Sequence, residues 1–218
     1  MSEQNTRANH AASRAQGLWA LVRFREVGII VFILILGFIV ALRAPAFLTL
    51  ENFKDILLNI SILAIVALAQ AMVIITHGID LSVSSMIGLV AMMVAFTVAQ
   101  APALPPVAAV VLGMALGAVL GALNGALISH GSVPPIIATL GTLSIYRGLV
   151  FYYSEGTWIN AFELPRPFKM LSKGTPLGLP NMVIIALGFA AAVYVFLNYT
   201  RTGRDIYAVG SNSEAAQM

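Results

Sequence analysis

The chain has 218 residues, 59% hydrophobic and only 10% charged, with a net charge of +3 and a mean hydropathy of +0.91. Soluble domains carry roughly 25% charged residues, so this composition excludes an ordinary soluble protein and points to a polytopic membrane protein. No cysteine is present, which excludes disulfides, thiolate metal sites and a cysteine nucleophile, and so small a charge excess belongs to topology-setting loops rather than to a nucleic-acid surface.

Residues 1–26 are polar and carry Arg7, Arg14, Arg23 and Arg25, the pattern of a cytoplasmic N-terminal tail with an interfacial end. Residues 27–42 form a clean apolar run, closed by Arg43. Ala44-Pro45-Ala46 faintly resembles a signal-peptide cleavage site, but the basic region is long and more spans follow at once, so the run reads as a first span. Residues 56–76 are the second span, with Asn59, Ser61 and Gln70 embedded. Residues 77–85 interrupt the apolar runs with a carboxylate, a glycine and small hydroxyls. Residues 86–100 are the third span, slightly short for roughly 30 Å of hydrocarbon unless Ser84 and Ser85 belong to its first turn.

A turn at 101–106 leads to the fourth span, 107–128. Residues 129–135 break the chain with Gly131, Pro134 and Pro135, and Ile136 is the expected start of a fifth segment, 136–153. Residues 154–179 are too polar to span. Residues 182–197 form the sixth span, followed directly by Arg201 and Arg204. The predicted fold is therefore all-α, a polytopic helical membrane protein with a transmembrane domain over 27–199 and a loop over 200–218. With the N-terminus inside, Lys and Arg number six on the cytoplasmic side and five on the other, and the N-terminal cluster sets the orientation.

Four features can carry chemistry. Asp80 is an acid beside membrane spans, which marks either a ligand contact or a polar turn. Asn59 and Gln70 lie about three turns apart on nearly one helix face, and uncharged amides there suit either a neutral polyol in a water-filled path or bonds to other helices. Gly113, Gly117, Gly121 and Gly125 recur every four residues, which predicts close helix packing in lipid. Asn124 beside them either bonds across helices or faces the path. There is no phosphate-binding Gly-x-x-x-x-Gly-Lys-Ser/Thr loop and no metalloprotease or hydrolase motif, so neither cofactor nor metal is expected. His10, His77 and His130 read as solvated or interfacial.

Three stretches resemble one family. Gly78-Ile79-Asp80-Leu81-Ser82-Val83 is similar to the signature of sugar permeases from bacterial ABC importers, the ribose/xylose/arabinose group, with Ser84-Ser85 standing where Gly-Ser is common. Pro134 to Thr142 resembles their Pro-Phe-Ile-(Ala/Val)-Thr-Leu-Gly-Thr/Met stretch, a Pro-led helix start bearing the hydroxyls of Thr139 and Thr142. Thr200 to Ala216 looks like their cytoplasmic loop.

The resemblance implies an incomplete transmembrane domain of the type II ABC-importer kind, in a bacterial inner membrane. It implies a permease subunit for a pentose-like monosaccharide that does no covalent chemistry. Its implied partners are an ATP-binding cassette subunit, a periplasmic sugar-binding protein, a second permease copy or paralogue, and membrane lipid. The path candidates are Asn59, Gln70, Asp80, Ser82, Asn124, Thr139 and Thr142. The ATPase-coupling candidates are Gly210, Ser213, Glu214, Ala215 and Ala216, where Ser211, Asn212 and Ser213 before an acid predict a helix start. Family members continue through further spans, so a C-terminally truncated permease is expected. The competing readings are an ion-coupled secondary transporter, which wants ionisable groups inside its spans, and a nonfunctional or assembly fragment.

Overall fold

A computed structural model describes residues 27–176 and 178–212, and among these the secondary structure is helical throughout. The helices are α1 (Val27–Arg43), α2 (Leu50–Ile75), α3 (Val83–Gln100), α4 (Pro106–Ser129), α5 (Pro135–Ser154), α6 (Arg166–Lys173), α7 (Asn181–Tyr199) and α8 (Arg201–Ser211), with one 3-10 turn at Pro45–Leu48. Five of them, α2, α3, α4, α5 and α7, are long and apolar enough to cross a membrane. The expected first span is helical from the first described residue, Val27, to Arg43. Large apolar side chains such as Phe32, Leu63, Met114 and Leu187 are exposed along these helices. Backbone groups closed within helices, with apolar side chains outside, are what lipid demands.

The chain falls into two units, Met1–Asp55 and Ile56–Met218. In the first, the 3-10 turn leads into α2 through Thr49, whose Oγ1 accepts the Asn52 N–H at 3.3 Å, while Asn52 Nδ2 donates to the Phe47 carbonyl at 2.7 Å. This cap explains why α2 starts at Leu50 and not at 56. Its 26 residues span about 39 Å, against roughly 30 Å of hydrocarbon. The first, polar turn and a half, with Glu51, Lys54 and Asp55, belongs outside the apolar layer.

In the second unit α3 and α5 run parallel, with α4 antiparallel to both. The starts of α3 and α5 meet where Thr139 reaches the Ile79 carbonyl, and their ends meet in an edge-to-face contact of Phe96 and Tyr153 at 5.6 Å. At that second end Val94, Val98 and Ala109 form a small core, covered by Leu104, Leu164 and Phe168. Leu164 and Phe168 come from the stretch read as too polar to span, which folds a short helix, α6, behind Pro165. Proline presets the first helical turn and needs no amide partner there. Ser84 and Ser85 do lie in the first turn of α3.

At the C-terminal end α8 runs to Ser211 and is capped at its start by Thr200, whose Oγ1 accepts the Gly203 N–H at 3.0 Å, and the helix start expected at Ser211–Ser213 leads into residues outside the described ones. A Thr at the N-cap position is itself a helix-start signal. Ser213, Glu214, Ala215 and Ala216 lie outside the described residues.

Candidate functional site

The site is built on the unwound segment between α2 and α3. The α2 C-terminus closes with the His77 N–H on the Ile74 carbonyl and the Gly78 N–H on the Val73 carbonyl, each 2.9 Å. That paired arrangement needs a left-handed residue, and His77 supplies it with φ 59°. Gly78 follows where a Cβ would press on Val73, with the carbonyl 3.2 Å away. Asp80 then organises the next start. Its Oδ1 accepts the Ser82 N–H at 2.8 Å and the Ser82 hydroxyl at 2.6 Å, immediately before α3. An acceptor on exposed amides at a helix N-terminus, carrying negative charge, is favoured on both counts.

Other helices fasten this segment. Gln70 Nε2 on α2 donates to the Asp80 carbonyl at 2.7 Å. Thr139 Oγ1 on α5 reaches the Ile79 carbonyl at 3.2 Å and, at 2.8 Å, the carbonyl of Pro135 on its own helix. Asn124 Nδ2 on α4 donates to Ser82 Oγ at 2.7 Å. Tyr146 on α5 donates its hydroxyl to the Leu120 carbonyl at 2.9 Å. Ser82, Asn124, Thr139 and Tyr146 are all buried. Among the described residues no buried side-chain nitrogen or oxygen lacks a partner. That matters because an unpaired polar group costs most where no water can reach it.

Beside this network lies a cleft of about 290 Å3. Thr76, Asp80, Asn124 and Thr139 give it polar groups, and Gly121 and Gly125 give it a backbone wall. It offers several neutral donors and acceptors and one carboxylate, and among the described residues no cluster of His, Cys, Asp and Glu is placed to hold a metal.

Five of the seven expected path residues are thus brought together: Gln70, Asp80, Ser82, Asn124 and Thr139. Thr142 is buried on the same α5 face but bonds to the Thr139 carbonyl at 3.3 Å and does not line the cleft. Asn59 sits eleven residues before Gln70 on α2, about 16 Å along the axis, and belongs elsewhere. Gly210 sits in α8 and does not line the cleft. Tyr146 and Thr76 were not singled out. Tyr146 continues the Thr139, Thr142 spacing by one turn, a signal that an aromatic residue conceals by looking like core.

The glycine stripe divides. A Cβ at Gly113 would meet Val94 and Val90 of α3 at 3.5 and 3.7 Å, whereas at Gly117, Gly121 and Gly125 it would meet nothing within 4 Å. Among the described residues of the second unit, none packs closely on Gly117, Gly121 or Gly125. The four-residue period put them on one face, but α3 crosses that face only at Gly113.

Comparison with known proteins gives one consistent answer. Residues 52–218 match the family model described as branched-chain amino acid transport system / permease component. The chain is 36% identical over 192 residues to the ribose import permease protein of Bacillus subtilis (strain 168), covering 88% of the chain and 59% of that protein. It is 37% identical over 199 residues to the autoinducer 2 import system permease protein of Enterobacter sp. (strain 638), covering 91% and 57%. It is 37% identical over 215 residues to the galactose/methyl galactoside import permease protein of Escherichia coli (strain K12), covering 91% and 63%. The chain thus spans about three-fifths of the length of these relatives. No solved structure matches it.

Proposed function

The chain belongs to the family of branched-chain amino acid transport system permease components, and from that premise we propose that it is the membrane-spanning permease subunit of an ATP-driven importer for a neutral, monosaccharide-like substrate. The observation that carries this reading is the cleft beside the unwound 76–82 segment, where Thr76, Asp80, Asn124 and Thr139 converge from separate elements. Broken helices that line a cavity are where membrane carriers place their substrates. A hydroxyl-rich neutral substrate needs donors and acceptors without a counter-charge, which amides and hydroxyls supply. Relatives named for the import of ribose, autoinducer 2 and galactose support the same class.

Such a subunit performs no covalent chemistry. The driving free energy comes from ATP hydrolysis on a separate ATP-binding cassette partner, docked against residues 200–218. A periplasmic binding protein delivers the substrate, and a second permease copy or paralogue completes the path. The subunit resides in the bacterial inner membrane with its N-terminus in the cytoplasm. The test is uptake by proteoliposomes holding the assembled importer, offered labelled ribose, galactose or leucine, with ATP or an imposed ion gradient as the driving force. ATP-dependent uptake of a sugar is expected. Gradient-driven uptake, or uptake of leucine alone, contradicts the reading.

A further inference from the structure

Gly203 and Gly210 lie seven residues apart on α8, close to two turns, so they share one face of that helix. Both are pressed against backbone. A Cβ on Gly203 would overlap the Phe196 carbonyl oxygen and come within 2.6 Å of Leu197 Cα, at the end of α7. A Cβ on Gly210 would overlap the carbonyl oxygen of Ile75, the last residue of α2, and come within 3.1 Å of its carbonyl carbon. Side-chain tips can swing away from such a contact, but helix-end backbone cannot, so only glycine fits at either place. On the opposite face Arg201, Asp205 and Ala208 are exposed.

We infer that Gly203 and Gly210 are positioning residues that mount α8 rigidly on the ends of α7 and α2, so that a displacement of α8 is transmitted through Ile75 to the segment lining the cleft. The inference rests on the reading of residues 200–218 as the contact to an ATP-binding subunit. The path is short. Ile75 is followed directly by Thr76 and, two residues later, by Gly78, and both line the cleft. Gln70, on the last turns of α2, holds the Asp80 carbonyl and ties the same end of the helix to the same segment. Small residues let backbones touch. Ile75 Cγ2 also lies 3.1 Å from the Gly210 Cβ position, but the nearest atom at both glycines is a backbone carbonyl oxygen. Such a stiff contact passes on a displacement where a cushioned one absorbs it.

This chain has no cysteine, so an introduced thiol is the one labelling site on this subunit, read after the subunits are separated on a gel. Thr76→Cys is placed in the importer assembled with its ATP-binding subunit, and its maleimide labelling rate is measured without nucleotide and with ATP trapped. In parallel, Ser211→Cys, on exposed α8 surface, is crosslinked to that subunit. In the parent, the labelling rate changes between the two states by at least about fivefold, the lower end of ordinary coupling between sites. In Gly210→Ala the crosslink persists and the change disappears. A Gly210→Ala importer that still shows the full change overturns the mount. One that loses the crosslink as well shows the glycine serving docking itself, which also overturns it. No crosslink in the parent refutes the reading of residues 200–218 and the mount falls with it. If Gly210→Ala does not accumulate in membranes, Thr200→Val takes its place. It removes the Gly203 cap and the 2.6 Å bond to the Phe196 carbonyl, and a fully retained change there overturns the mount too.

Discussion

Asn124 Nδ2 donates to the hydroxyl of Ser82, 42 residues earlier in the chain, at 2.7 Å. Both residues are buried, and the Ser82 hydroxyl in turn donates a hydrogen bond to Asp80 Oδ1 at 2.6 Å. This one relay joins α4 to the start of α3 and sets the carboxylate of the unwound segment. Gln70 and Thr139 fasten the same segment through the Asp80 and Ile79 carbonyls.

A double-mutant cycle on Ser82→Ala and Asn124→Leu measures its worth. Interhelical hydrogen bonds in membranes average about 0.6 kcal/mol and reach about 1.7. The coupling between these two positions is expected in the upper half of that range, because both partners are fully enclosed. Denaturant unfolding in mixed micelles checks it, and additive effects of the two substitutions would deny the relay.

His77 occupies a left-handed conformation, φ 59°, at the end of α2. A non-glycine residue there bears about 1–2 kcal/mol of steric cost. His77→Gly is therefore expected to raise the unfolding midpoint, and His77→Val to lower it. A stabilising valine would show that the α2 C-terminus is not closed as described.

The glycine stripe gives an ordered series. Gly113→Leu drives a side chain into Val90 and Val94 of α3, and overpacking of that kind costs about 1–3 kcal/mol. Gly117→Leu and Gly121→Leu enter open space and are expected to leave the stability of the single chain near parental. Thermal unfolding in detergent ranks the three.

The helix directions predict sidedness. Reporter fusions at Ala101 and Pro167 are expected on one side of the membrane, and fusions at His130 and Asn212 on the other. With the N-terminus inside, the first pair reports periplasm. Pro167 and His130 on the same side would refute the arrangement of α4, α5 and α6.

The spans were legible because apolar length in lipid is nearly a complete instruction. What was not legible were their polar ends. The turn and a half from Leu50 to Asp55 is helical through its Thr49 cap although it lies outside the apolar run. Helix α6 hides in a polar, proline-containing stretch, since its Leu164 and Phe168 contacts exist only once the ends of α3 and α4 have been brought together. In the site, residue types were readable but partners were not. Asp80, Ser82, Asn124 and Thr139 stood out as polar groups in apolar surroundings, yet whether Asn124 bonds across helices depends on a contact between distant parts of the chain. The structure answers with both: it bonds Ser82 and lines the cleft. The period of four in the glycines specified a common face and said nothing about what occupies it.

If substrate passes by the cleft, filling the cleft stops transport. Gly125 lines the cleft, and a Cβ there meets nothing within 4 Å, so a bulky side chain enters the cavity without displacing the fold. ATP-driven uptake of a labelled monosaccharide is measured for the assembled importer with Gly125 and with Gly125→Phe, after matching their yield and thermal stability. Uptake by the parent and only background uptake by Gly125→Phe are expected. Parental uptake by a fully folded Gly125→Phe importer would contradict passage of substrate by the cleft.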